Sequence, residues 1–228
     1  MTLAEALRIR PGVTAVTGGG GKTTLLRALG EELAAGHTVI LCTTTKIYPF
    51  PGLRNLTAAR EGEIMAALAE HPLLCLGAPV PGTGKLTAPA LPMEALAGLA
   101  EYVLVEADGA AGRPVKAHAP HEPVIPRTAN QAVLVVGASG FGRPVREAVH
   151  RPEEFRLLTA LEPEDPVTPE ALAQALQMEA STAWPPIRVF VNQAEDKAAM
   201  AAARRLAELL PWPVCAGALK RRRWTCLS

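Results

Sequence analysis

Short apolar runs alternate with amphipathic stretches along the 228-residue chain. The β-branched run Val13–Thr17 predicts a strand, and Leu25, Leu26 and Leu29 form the buried stripe of a helix from Lys22 to about Ala35. Gly36 stands at the helix C-cap, before a strand at Thr38–Cys42. A helix near Gly62–Glu70 leads to the apolar run Leu73–Gly77, and the Pro- and Gly-rich stretch Pro79–Pro92 reads as a loop or short hairpin. A helix near Pro92–Ala100 precedes a strand at Tyr102–Glu106. A long polar connection, Ala107–Asn130, then leads to a strand at Gln131–Gly137. Helical segments near Pro152–Ala160 and Pro169–Met178, a strand at Ile187–Asn192, a helix from Asp196 to Leu210 and a strand at Val214–Ala216 close the pattern. This alternation predicts a single α/β domain with a three-layer build, a mainly parallel sheet covered by helices on both faces. The segment near 144–180 reads as a small helical insertion on it.

Gly18, Gly19, Gly20 and Gly21 form the bend between the first strand and the first long helix, followed by Lys22, Thr23 and Thr24. Glycine lets successive N–H groups turn inward and lets an anion approach the main chain closely. The helix N-terminus adds unpaired N–H groups and partial positive charge. Lys22 can reach β- and γ-phosphates and the Thr23 hydroxyl can bind Mg²⁺, so ATP or GTP with Mg²⁺ is the expected ligand set. The full pattern G-x-x-x-x-G-K-[ST] would place its first glycine at Val16, so the match is incomplete.

In open parallel sheets ligands collect at the carboxyl ends of the strands. Thr43, Thr44, Thr45 and Lys46 follow the second strand and fit a switch segment facing a γ-phosphate, with Thr45 near the metal. Glu106 and Asp108 end the strand Tyr102–Glu106, one as a metal ligand and the other as base or water positioner, with the roles open between them. Arg113, Lys116 and His121 in the long connection, and Arg151 before a helix, fit an anionic substrate. His118 and His121 in a Pro-rich loop are weak as a metal pair. Asn192 follows a strand where a purine contact is expected, but Gln193 and the late Asp196 give no guanine specificity. Lys220–Arg223 reads as a solvated basic tail.

Hydrophobic residues form 49% of the chain and the net charge is +1, which argues against a general nucleic-acid or membrane surface. Without a long apolar run or a signal-peptide pattern, a cytoplasmic protein is expected. Cys42, Cys75, Cys215 and Cys226 are too scattered for a zinc pair or a secreted disulfide framework. Cys42 and Cys75 read as buried, Cys226 as exposed.

The blocks GGGGKTT at 18–24, TTTKI at 43–47, VEADGAAGRPVKAHAPHEPVIP at 105–126 and HRPEEF at 150–155 resemble the YqeC-type selenium-dependent hydroxylase accessory proteins. The resemblance implies a P-loop NTPase fold and a link to maturation of selenium-dependent molybdenum hydroxylases. A client hydroxylase or its cofactor-maturation machinery is then the expected partner. The shared positions are Gly18–Thr24, Glu106, Asp108, Lys116, His121 and Arg151. Thr17 stands where related metallochaperone and partitioning NTPases carry a second lysine, which argues against a lysine supplied in trans across a dimer. A nucleotide-driven assembly factor, a phosphoryl or nucleotidyl transferase acting on a small anion, and a non-catalytic nucleotide sensor all fit the sequence. A homo-oligomer is compatible with each.

Overall fold

The computed structural model describes residues 1–180 and 184–228. Nine strands among them form one sheet: β1 (Gly12–Gly18), β2 (Val39–Thr43), β3 (Arg54–Leu56), β4 (Leu73–Leu76), β5 (Tyr102–Glu106), β6 (Ala129–Gly137), β7 (Ile187–Asn192), β8 (Val214–Ala218) and β9 (Arg223–Cys226). Their order across the sheet is β9-β8-β7-β6-β1-β5-β2-β4-β3. Every pair is parallel except β8 with β9. The β-branched centre of β1 is buried on both faces, as a central parallel strand requires.

Helices cover both faces, giving the expected three layers. On one side α1 (Leu3–Ala6) and α2 (Lys22–Leu33) pack Leu25, Leu26 and Leu29 against Val16, Leu41, Leu104 and Val135. On the other, α3 (Glu61–Glu70) and α4 (Met93–Leu99) cover Ile40, Leu74, Val103 and Val105. The same face continues over β6–β8 beneath α5 (Val145–Ala148), α6 (Pro152–Thr159), α7 (Pro169–Glu179) and α8 (Lys197–Leu209). Residues 144–180 therefore share one hydrophobic cluster with Leu134, Val189 and Val214 of the sheet. No helix among the described residues is long and apolar enough to cross a membrane.

Two local expectations need correction, and a third is met. Helix α2 ends on Ala34, and Gly36 does not adopt a positive φ; its N–H instead closes a turn on the Leu33 carbonyl at 3.2 Å. Lys220–Arg223 is exposed, as a solvated basic run, but it is not a free tail: its last residue begins the antiparallel edge strand β9, held to β8 by its backbone. The exposed charge of Arg223 suits an edge, because it discourages further strand pairing. The stretch 79–92 does contain a hairpin, Ala78–Val80 against Lys85–Thr87.

The chain crosses to one side of β1 through β2–β4, returns as β5 beside it, then leaves on the other side as β6. That reversal of direction opens a crevice at the carboxyl ends of β5, β1 and β6, where ligands bind in such sheets. In register, Val16 lies opposite Glu106, and Glu106 lies opposite Thr43.

Candidate functional site

The glycine run leaves β1 with three residues at positive φ: Gly18 at 96°, Gly20 at 76° and Gly21 at 129°. Close backbone neighbours also exclude side chains. A Cβ on Gly18 would lie 2.2 Å from the Val135 carbonyl oxygen, and one on Gly20 would lie 2.3 Å from Gly137. The Gly19 N–H donates to Val135 and that of Gly20 to Arg113. Among the described residues, the N–H groups of Gly21, Lys22, Thr23 and Thr24 have no hydrogen-bond partner. Helix α2 also lacks a side-chain cap and has no acidic residue in its first turn. By contrast, Thr168 and Asp196 cap α7 and α8 through their side chains. The start of α2 is thus an open set of donors at the positive end of a 12-residue helix.

Two acids meet this loop from different directions. Glu106, at the end of β5, accepts the Thr23 hydroxyl at 2.9 Å. Burial raises its pKa, against the opposing charge of Lys22. Asp108 is fully buried and surrounded by donors. Its Oδ2 accepts from the Thr17 hydroxyl at 2.7 Å, the Gly18 N–H at 2.9 Å and His118 Nε2 at 2.8 Å, with the Lys116 ammonium at 3.4 Å. Its Oδ1 lies 3.1 Å from the Lys22 ammonium, which also donates to the Gly18 carbonyl at 2.6 Å. Burial alone would raise the Asp108 pKa; the hydrogen bond from His118 and the charges of Lys22 and Lys116 outweigh it and hold the carboxylate below its usual range.

The network continues outward. His118 Nδ1 lies 2.7 Å from Glu179 Oε2 on α7, and Trp184 packs edge-on against the ring at 5.7 Å. With a carboxylate at each ring nitrogen, the imidazole is held as the cation that can donate from both. Its pKa is raised: the bonds to Asp108 and Glu179 overcome the opposing effect of burial. Lys116 bridges Asp108, Glu122 at 3.0 Å and the Gly109 carbonyl at 2.6 Å. Arg151 grips Glu122 with two 3.0 Å bonds. Burial of Glu122 is outweighed by Arg151 and Lys116, which bring its pKa down to about 2. Four cations, Lys22, Lys116, His118 and Arg151, thus face three carboxylates, Asp108, Glu122 and Glu179.

A profile of the family described as YqeC protein matches residues 14–153, a span that holds the glycine loop, both acids and most of this network. The chain belongs to the YqeC family. Over 164 residues it is 34% identical to a protein of Escherichia coli (strain K12) named uncharacterized protein YqeC. The match covers 68% of this chain and 63% of that relative, so the chain spans less than two thirds of the relative's length. No solved structure matches. Glu179 and Asn192 lie beyond the part matched by the YqeC profile.

The other residues singled out in sequence fall into distinct places. Thr43 is buried and donates to the Glu106 carbonyl at 2.8 Å, while Thr45 N–H caps back on Thr43 at 2.9 Å. Thr44 donates to the Val124 carbonyl, and Lys46 is exposed. This segment therefore touches Glu106 through its backbone. Asn192, expected at a purine, has both ends of its carboxamide engaged: Nδ2 donates to the Gly20 carbonyl at 2.8 Å and Oδ1 accepts the Leu219 N–H at 3.1 Å. It braces the glycine loop against the end of β8. Arg113 supports the same loop through its carbonyl, and its guanidinium turns to the Glu147 carbonyl at α5. His121 is exposed and stands apart from the network, whose histidine is His118. Among the described residues no group of three or more His, Cys, Asp or Glu side chains is arranged to hold a metal ion.

Proposed function

We propose that this YqeC-family chain binds a nucleoside triphosphate, ATP or GTP, with its β- and γ-phosphates at the start of α2. One observation carries the reading: four unpartnered N–H groups, from Gly21 to Thr24, sit beside the buried Lys22 ammonium at the carboxyl edge of the sheet. A triphosphate matches that donor set in charge, and an apolar or cationic ligand does not.

The hydroxyl of Thr23 and the carboxylate of Glu106 would hold Mg²⁺, which neutralises charge developing on the transferred phosphoryl group. Their 2.9 Å bond brings both oxygens to one point at the mouth of the loop. Glu106 is thus favoured over Asp108 as the ligand, because Asp108 faces Lys22, Lys116 and His118. Asp108 instead fixes the glycine loop through the Gly18 N–H and holds Lys22 until phosphate draws the ammonium across. Thr43–Lys46 reports the state of the site through the Glu106 backbone.

Hydrolysis by charge stabilisation, in an accessory factor for maturing selenium-dependent molybdenum hydroxylases, is favoured over group transfer to a small anion. Of the four groups expected to hold such an acceptor, Lys116 and Arg151 are paired with Asp108 and Glu122, the Arg113 guanidinium turns to the Glu147 carbonyl, and His121 lies outside the cluster. Hydrolysis of Mg-ATP and Mg-GTP, with and without a molybdenum hydroxylase preparation, tests the reading. Turnover raised by the hydroxylase supports it; product that appears only with a small anionic acceptor supports transfer, and binding without turnover leaves a sensor.

A further inference from the structure

Cys215 on β8 and Cys226 on β9 are directly opposed, and their sulfurs lie 3.0 Å apart. The Leu227 N–H donates to the Val214 carbonyl at 2.8 Å, which makes 214 and 227 a hydrogen-bonded pair. Residues 215 and 226 are then the non-hydrogen-bonded pair, whose side chains approach most closely across antiparallel strands. Cys226 is exposed and Cys215 is buried beneath it. A reagent from solvent meets one sulfur while the second waits behind. The other two cysteines offer a contrast. Cys42 and Cys75 are buried on neighbouring strands, but they belong to hydrophobic clusters on opposite faces of the sheet.

We propose that Cys215 and Cys226 form a thiol–disulfide exchange site whose co-substrate is a low-molecular-weight disulfide, RSSR. The Cys226 thiolate attacks one sulfur of RSSR, forming a mixed disulfide and releasing RS⁻. Cys215 then gives its proton to solvent and attacks the Cys226 sulfur, closing the intrachain bond and releasing the second RS⁻. Two protein thiols are oxidised and one small disulfide is reduced to two thiols. Burial and contact with Cys226 push the Cys215 thiol up to about 12, in keeping with Cys226 attacking first. The bond would tie β9 to β8 where both strands, with α8, wall a cleft of about 590 Å³ containing Met200, Arg204, Arg223 and Trp224.

The test uses the reduced full chain, incubated with glutathione disulfide, quenched by alkylation and mapped by peptide mass. The wild type should lose two thiols and yield a Cys215–Cys226 linked peptide lighter by two hydrogens. Cys42 and Cys75 should be alkylated only after denaturation. Cys215→Ser should accumulate glutathione on Cys226, and Cys226→Ser should stay reduced. A mixed disulfide that persists in the wild type, a link between two chains, or no reaction would each overturn the proposal. Should either variant misfold, the wild-type peptide map decides alone.

Discussion

The Lys22 ammonium lies 3.1 Å from Asp108 Oδ1, and both groups are buried. A buried charge tolerates this environment only with a partner, and removing one member of such a pair leaves the other stranded. Lys22 is thus held at the glycine loop by the acid that also binds the Gly18 N–H.

Asp108→Asn keeps the shape of the side chain and removes its charge. Lys22, Lys116 and His118 would then share too little negative charge, so stability should fall by about 3 kcal/mol. Because Asp108 holds both the glycine loop and Lys22, turnover should fall together with nucleotide affinity. Urea unfolding and steady-state hydrolysis measure the two effects, and unchanged turnover in a folded variant would remove Asp108 from the mechanism.

Thr23→Ala removes the hydroxyl that meets Glu106 at 2.9 Å. Nucleotide affinity in the presence of Mg²⁺ should drop about tenfold, the scale of one hydrogen bond to a charged group. In EDTA, wild type and variant should bind equally. Isothermal titration under both conditions makes the comparison; an equal loss in EDTA would contradict the metal role.

His118 sets the pH response on the alkaline side. Folding raises its pKa above the unperturbed 6.5. Its stabilisation is therefore complete below pH 6.5 and is lost as pH climbs through the folded value. Asp108 and Glu122 act in the opposite direction, since folding lowers their pKa values. Their contribution is present above the unperturbed values near 4 and, for Glu122, fades as pH falls towards 2. Melting temperature followed from pH 5 to 9 should decline for the wild type and stay flatter for His118→Gln. Parallel curves would mean that His118 is not held by its two carboxylates.

Asn192→Ala separates a brace from a base contact. Losing the bonds to Gly20 and Leu219 should cost about 1–2 kcal/mol of stability. Affinity for ATP and GTP should fall by the same factor. A selective loss of one purine nucleotide would restore Asn192 to the base site.

Much of this layout is legible along the chain, because its signals are local. The β-branched run of β1, the glycines and the leucine stripe of α2 lie within residues 13–33, so turn chemistry and periodicity suffice. The ends of β2 and β5 are marked by Thr43 and Glu106 for the same reason. The partners of Asp108 are a different matter. His118, Glu179 and Trp184 converge only once α7 folds over β6 and β7, and no spacing along the chain encodes that approach. His118 and His121 look alike in sequence; burial alone makes the first a member of the network and leaves the second outside. Strand β9 is hidden in sequence because its Arg223 closes a basic run, Lys220–Arg223, that reads as a tail, whereas its pairing with β8 comes from backbone bonds that any residue can make.

Binding of a triphosphate at the start of α2 is the claim on which the rest depends, and thermal unfolding with Mg-ATP and Mg-GTP tests it most directly. A ligand that binds only the folded chain raises the melting temperature as its concentration passes Kd. The wild type should show that rise with at least one of the two nucleotides, and Lys22→Ala should abolish most of it while remaining folded. No rise with either nucleotide, or an equal rise in Lys22→Ala, would contradict the account.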